Sequence, residues 1–187
     1  MIERAVLERT ATELLRQLIR FNTVNPPGDE AVAQHFIKGE LEEAGFSVEL
    51  LALAPERPNL VATLPAASAA AAADGPTVAL LGHIDTVLAD PSEWQADPWG
   101  AELREGCVWG RGAQDMKGQV AAELAAVVEL ARAGWRPANG TLKIVVTADE
   151  EAGGNFGARW LCEEHPEKVR ADVIVNEGGG QRFVYEG

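Results

Sequence analysis

TLKIVVTADEEAGG, Thr141–Gly154, sets an apolar run directly against three consecutive acids. TLKIVVT has the composition of a buried core strand. Asp149, Glu150 and Glu151 then stand where that strand ends. Two unit charges about 4 Å apart repel by roughly 4 kcal/mol at an effective dielectric near 20. Solvent, basic partners or a metal ion must offset such a cluster.

Working outward, helices and apolar strands alternate. Val6, Leu7, Leu14, Leu15, Leu18 and Ile19 recur at helical spacing over residues 3–20. NTVNPPGDE (22–30) reads as a loop, and a second helix is predicted from Glu30 to Ala44, stopped by Gly45. FSVELL (46–51) and NLVATL (59–64) read as strands. The alanine-rich stretch 65–75 is expected to be a surface excursion between paired strands, with local helix. TVALLG (77–82) is a core strand, 88–105 is loop-like, and CVWGRG (107–112) is a short strand entering a turn. A long helix is predicted over 115–134, ended by Gly134, and a short one over 156–165. ADVIVNEGG (171–179) is a strand ending in an acid, and RFVYEG could begin another. The interleaving predicts an α/β fold with a mixed, largely parallel central sheet flanked by helices.

The 187 residues suffice for a real core, and 47% hydrophobic content excludes global disorder. Twenty-nine acids against 16 Lys and Arg give a net charge of −13, which argues against nucleic acid or anionic membrane as partners. Two cysteines, Cys107 and Cys162, form no framework, so a reducing cytoplasm is the expected setting. The N-terminus carries acids among its apolar residues, unlike a secretory signal, and no apolar run is long enough to span a membrane.

Polar clusters recur at strand ends or in the loops that follow: His83 and Asp85 after VALLG, Asp115 after WGRG, Glu150 and Glu151 after IVVT, and Glu177 after VIVN. Ligands of open α/β sheets bind outside the carboxyl ends of strands. If those strands are parallel, all four clusters meet on one rim. Each has an ordinary reading taken singly: a structural histidine, an N-cap at Asp115, a solvated turn, a loop acid. Together they point to one site. His83 and Asp85 are alternate residues, so on extended chain they face the same way, and a carboxylate there can hold the imidazole's far N–H. WGRGAQDMKG fits neither phosphate-loop pattern, because Asp115 stands where GxGxxG needs glycine.

GHIDTV (82–87), DPWGAELREGCVWGRGAQDMKG (97–118), TADEEAGG (147–154) and NEGGG (176–180) together resemble the co-catalytic zinc metallopeptidases. These include aminoacylase, acetylornithine deacetylase, succinyl-diaminopimelate desuccinylase and carboxypeptidase G; the NPPG loop (25–28) agrees. The resemblance implies a two-zinc site, with cobalt or manganese as substitutes. In it His83 and Glu177 hold one zinc, Glu151 the other, and Asp115 bridges them and is followed by a cis peptide to Met116. It makes Glu150 the general acid/base and Asp85 the support of the His83 imidazole. Asp149 has no assigned role beyond a turn acid. Divalent cations among the carboxylates would resolve the repulsion at Asp149–Glu151.

The activity so implied is hydrolysis of N-acyl amino acids or short peptides. NEGGG and RFVYEG lean toward aminoacylase and carboxypeptidase members. Family members are about twice this length, so residues 1–187 are expected to be the first segment of the catalytic domain. The lid domain, which forms the homodimer, and the closing catalytic segment with its zinc histidine would be absent. His35 and His165 match no family ligand and are expected at the surface. Such a chain is expected to bind one zinc well and to be nearly inactive alone. A non-catalytic metal-binding or scaffold domain of the same fold is the alternative; a calcium binder would need a DxDxDG loop that is missing.

Overall fold

A computed structural model describes residues 2–178. In chain order the elements are α1 (Arg4–Arg20), α2 (Ala31–Glu43), β1 (Ser47–Leu51), β2 (Asn59–Pro65), α3 (Ala69–Ala73), β3 (Thr77–His83), β4 (Glu102–Arg104) and β5 (Cys107–Trp109). They continue with α4 (Lys117–Arg132), β6 (Thr141–Thr147), α5 (Ala158–Glu164), α6 (Pro166–Val169) and β7 (Val173–Val175). RFVYEG lies outside the described residues.

Among the described residues, five strands form the sheet in the order β1-β2-β6-β3-β7. β1 with β2, and β2 with β6, run antiparallel; β6 with β3, and β3 with β7, run parallel. The α/β class with a mixed sheet flanked by helices is thus the observed one. β2 and β3 follow each other in sequence, yet they do not pair: β6 lies between them. The stretch 65–75 therefore does not link paired strands, contrary to the sequence expectation. Pro65 of β2 and Thr77 of β3 both register with Thr141, so the connection crosses only the start of β6. Ala66 N–H donates to the Gly140 carbonyl, and Gly140 N–H donates to that of Ala71. The Ser68 side chain accepts from Ala71 N–H and caps α3, as serine favours. The segment 88–105, expected as loop, also contributes β4, which pairs with β5 as a two-stranded ribbon.

β6 alternates its contacts at period two. Ile144 and Val146 join the larger core with Leu14 and Leu18 of α1, Ile37 and Leu41 of α2, and Val120, Leu124 and Val128 of α4. Val145 faces the other way, against Val61 and Leu161. Leu18, Ile37, Leu41 and Leu124 are fully buried, each contributing about 1.5–3 kcal/mol relative to exposure. β7 at the sheet edge leaves Val173, Ile174 and Val175 about half exposed. Among the described residues, no helix is long and apolar enough to cross a membrane.

Candidate metal centre

The parallel half of the sheet gathers most of the site. His83 ends β3 in register with Thr147, which ends β6, and Leu80 pairs with Val175, which ends β7. The segments leaving these three strands therefore emerge on one rim: His83–Asp85, Asp149–Glu151 and Glu177. Asp115 arrives differently, from the turn between β5 and α4. It does not cap that helix; Met116 occupies the cap position. α4 reaches the rim because Gly82 has no side chain: a Cβ there would lie 2.7 Å from Val120 Cγ2 and 3.1 Å from Met116 Cε. His83 N–H also meets Met116 Sδ at 3.1 Å, and the Asp115–Met116 peptide is cis.

His83 is buried, with both ring nitrogens committed. Nδ1 lies 3.0 Å from the Asp85 carbonyl oxygen and 3.3 Å from Asp85 Oδ1. Those acceptors keep a proton on Nδ1, which leaves Nε2 as the outward-facing nitrogen. Nε2 stands 3.2 Å from Asp115 Oδ1, 3.6 Å from Glu177 Oε1 and 3.7 Å from Glu150 Oε2. His83, Asp115 and Glu177 each offer a ligand atom within 4.8 Å of the others. Glu151 is not in that trio. Its carboxyl is pushed up by burial and then by Asp115, so it shares the same field. Burial, with Asp115 and Glu150 adding to it, likewise pushes Glu177 up against the opposing pull of His83.

Burial pulls His83 toward the neutral form, but Asp85, Glu177 and Glu150 outweigh it and raise its pKa to about 9. Among the described residues, His83 is the one basic group within 4 Å of Asp115, Glu150 and Glu177. One imidazole nitrogen and converging carboxylates, with no lysine or arginine between them among the described residues, suit a metal cation.

Asp85 is foreseen as the support of His83, but the contacts behind it leave no signal in the sequence. Asp85 is fully buried; its Oδ2 accepts from Asn25 Nδ2 at 2.9 Å and from Glu151 N–H at 3.1 Å, and its Oδ1 from Glu150 N–H at 3.1 Å. Burial works against its charge, yet His83, Asn25 and the Glu150 N–H hold its pKa below the usual carboxylate range. Asp149 is no surface turn acid. It is buried in a left-handed conformation (φ 65°) and accepts from Asn25 Nδ2 at 3.0 Å, Arg57 Nη1 at 3.0 Å and Phe156 N–H at 3.1 Å. Arg57 also pairs with the buried Glu30 at 2.7 Å. Asn25 lies in the NPPG loop, to which the sequence assigns no site role, and nothing local distinguishes Arg57. Lys117, also buried, donates to the Leu18 and Phe21 carbonyls at 2.9 and 2.8 Å and so ties the end of α1 beside Asp115. Of the remaining histidines, His35 is exposed as expected, whereas His165 is half-buried, edge-on to Trp160.

Residues 79–184 match the model of Peptidase family M20/M25/M40. The chain belongs to this family. Among relatives of this M20-family chain, succinyl-diaminopimelate desuccinylase of Methylocella silvestris is 37% identical over 146 residues, covering 78% of this chain and 36% of that protein. Desuccinylase 2 of a Ruegeria species is 35% identical over 168 residues, covering 87% and 39%. The chain thus spans well under half the length of these relatives. Its fold is shared by the M20-family metallo-carboxypeptidase Sso-CP2 of Sulfolobus solfataricus (TM-score 0.75, 23% identity, 91% of this chain, 37% of that one). Human carnosine dipeptidase 1 shares it too (TM-score 0.76, 22% identity, 90% and 38%).

Proposed function

We propose that residues 1–187 form the first catalytic-domain segment of a zinc-dependent amide hydrolase acting on N-acyl amino acids or short peptides. The observation that carries this is the buried His83, whose Nδ1 is held by Asp85 while its Nε2 faces Asp115, Glu150 and Glu177. His83, Asp115 and Glu177 would hold one ion; Asp115 and Glu151 would supply the second, which needs further ligands. Bound zinc supplies Lewis acidity at a carbonyl and acidifies water. The residues do the rest. Glu150, exposed at the rim, takes a proton from water and returns it to the departing amine. Asp85 fixes the imidazole tautomer.

The desuccinylase relatives support an N-acyl amino acid substrate; the lean toward aminoacylase and carboxypeptidase read from NEGGG and RFVYEG gains nothing from them. A lid that forms the homodimer and a cytoplasmic location belong to the same proposal. Metal analysis and turnover of a full-family-length protein test it. Glu150→Gln should keep zinc and lose hydrolysis; undiminished hydrolysis would remove Glu150 from the mechanism. Calorimetry on the present chain should find one tight zinc, with little or no amidase activity.

A further inference from the structure

The loop between β6 and α5 carries Glu150 and Glu151 but little packing of its own. From Glu150 to Asn155 no residue is fully buried, and Gly153 and Gly154 have positive φ. What closes the loop comes from the neighbouring strand. β2 begins where β6 ends, with Leu60 opposite Val146, so the residues entering β2 lie beside the loop. The fully buried Asn59 joins its two ends: Oδ1 accepts from Ala148 N–H at 2.9 Å, and Nδ2 donates to the Phe156 carbonyl at 2.8 Å. Arg57 spans the same two ends. Its Nη1 donates to Asp149 Oδ1 at 3.0 Å, and its guanidinium covers the Phe156 ring, 4.9 Å from the centroid. Its other edge is fixed on the buried Glu30, through Nε at 3.1 Å and Nη2 at 2.7 Å. A planar fork can hold two carboxylates and a ring at once, which a lysine ammonium cannot. Gly157 permits the close approach, since a Cβ there would run into the Ala148 carbonyl oxygen.

We propose that Arg57 and Asn59 are positioning residues: they clasp the two ends of the Ala148–Phe156 loop and so set where the Glu150 and Glu151 carboxylates stand at the rim. This rests on the hydrolase reading, in which Glu150 moves the proton. Asp85 restrains Glu150 and Glu151 by their backbone N–H groups; the clasp fixes the loop on the side away from Asp85. A proton-transferring group must stay within hydrogen-bond reach, and a displacement of about 1 Å can cost about 100-fold in rate.

Amide hydrogen exchange on the present chain tests the clasp without turnover. In the unaltered protein the Glu150, Glu151 and Phe156 amides should be protected at least about a hundredfold over an unstructured chain. Exchange at the unstructured rate overturns the clasp, and this arm needs no variant. Arg57→Lys keeps a charge beside Glu30 and should speed those three amides by about tenfold or more. If they do not change, whatever the β6 amides do, the loop opens independently of Arg57 and the clasp is overturned. His83, Asp115 and Glu177 lie outside the loop, so calorimetry should find the tight zinc of Arg57→Lys within about threefold; a tenfold fall would mean that Arg57 acts through that metal instead. In a full-family-length protein supplied with N-acetyl and N-succinyl amino acids, Arg57→Lys should lower kcat about 10–100-fold with KM within about threefold. Unchanged kcat in an active enzyme defeats the positioning role and leaves the hydrolase reading intact. Arg57-dependent exchange in an unaltered full-length protein without amidase activity does the reverse.

Discussion

The side-chain amide of Asn25 donates to the carboxylate of Asp85 at 2.9 Å, across 60 residues of sequence. The same nitrogen lies 3.0 Å from Asp149. One amide thus joins the acid that orients His83 to the acid that begins the Asp149–Glu151 turn. Glu30 and Arg57 continue the chain of contacts behind it, so the residues at the rim rest on a buried, paired network.

Asn25→Ala should therefore act on both stability and metal. Two buried carboxylates each lose a donor, which should cost about 1–3 kcal/mol in urea denaturation. Zinc affinity should fall about 10–100-fold, as it does when a residue supporting a ligand is removed. Unchanged zinc affinity would mean that Asp85 holds its position without Asn25.

Arg57→Met should be more severe. It strands Glu30 and Asp149 as buried charges, with an expected loss of roughly 3–5 kcal/mol. Adding Glu30→Gln should recover part of that loss, because one of the stranded charges disappears. Denaturation of the single and double variants checks the sign.

Gly28 is needed for room as well as for backbone conformation. Its φ is +77°, and a Cβ there would run into the Arg57 guanidinium. Gly28→Ala should destabilise by about 1–3 kcal/mol. In an Arg57→Met background the penalty should shrink to the backbone share, a coupling that a double-mutant cycle measures.

The raised pKa of His83 predicts how metal binding depends on pH. Near neutrality the metal-free imidazole keeps a proton that zinc must displace. Zinc affinity should rise with pH until about 9, and binding at pH 7 should release protons, measurable by titration in buffers of different ionisation enthalpy. His83→Gln should abolish that release and the tight site with it.

Metal-free stability should show two opposed slopes. His83 is raised above its unfolded pKa near 6.5 to about 9, so its contribution is complete below 6.5 and is lost as pH rises through 9. Burial, opposed by Asp85, pulls Lys117 down to about 7. Between 7 and its unfolded value near 10.5 only the unfolded lysine keeps its proton, so stability there rises with pH. From 7 to 9 the two should nearly cancel. Metal-free His83→Gln should instead gain up to about 1.4 kcal/mol per pH unit in that window; a flat profile would remove Lys117 as the opposing group.

Much of the site was legible in the sequence because strand ends are legible. An apolar run followed by acids marks both the strand and its terminus, which is how Glu150, Glu151 and Glu177 came forward. The alternate spacing of His83 and Asp85 carried their partnership for the same reason. Asp149 differs from the turn acid its local sequence suggests because its burial depends on Asn25 and Arg57, 124 and 92 residues away. Arg57 sits in a loop between β1 and β2 with no periodic pattern to mark it.

The sequence by itself determined the α/β class, the order of the main elements and the residues at the rim, since hydrophobic periodicity and turn residues are local properties of the chain. Only the tertiary structure decided that β6 would enter between β2 and β3, that Gly82 would admit α4 close enough to bring Asp115 to His83, and that Asn25 would link Asp85 to Asp149. Those outcomes depend on which surfaces meet and on where each buried polar group finds a partner, and partners distant in sequence leave no pattern in the residues themselves.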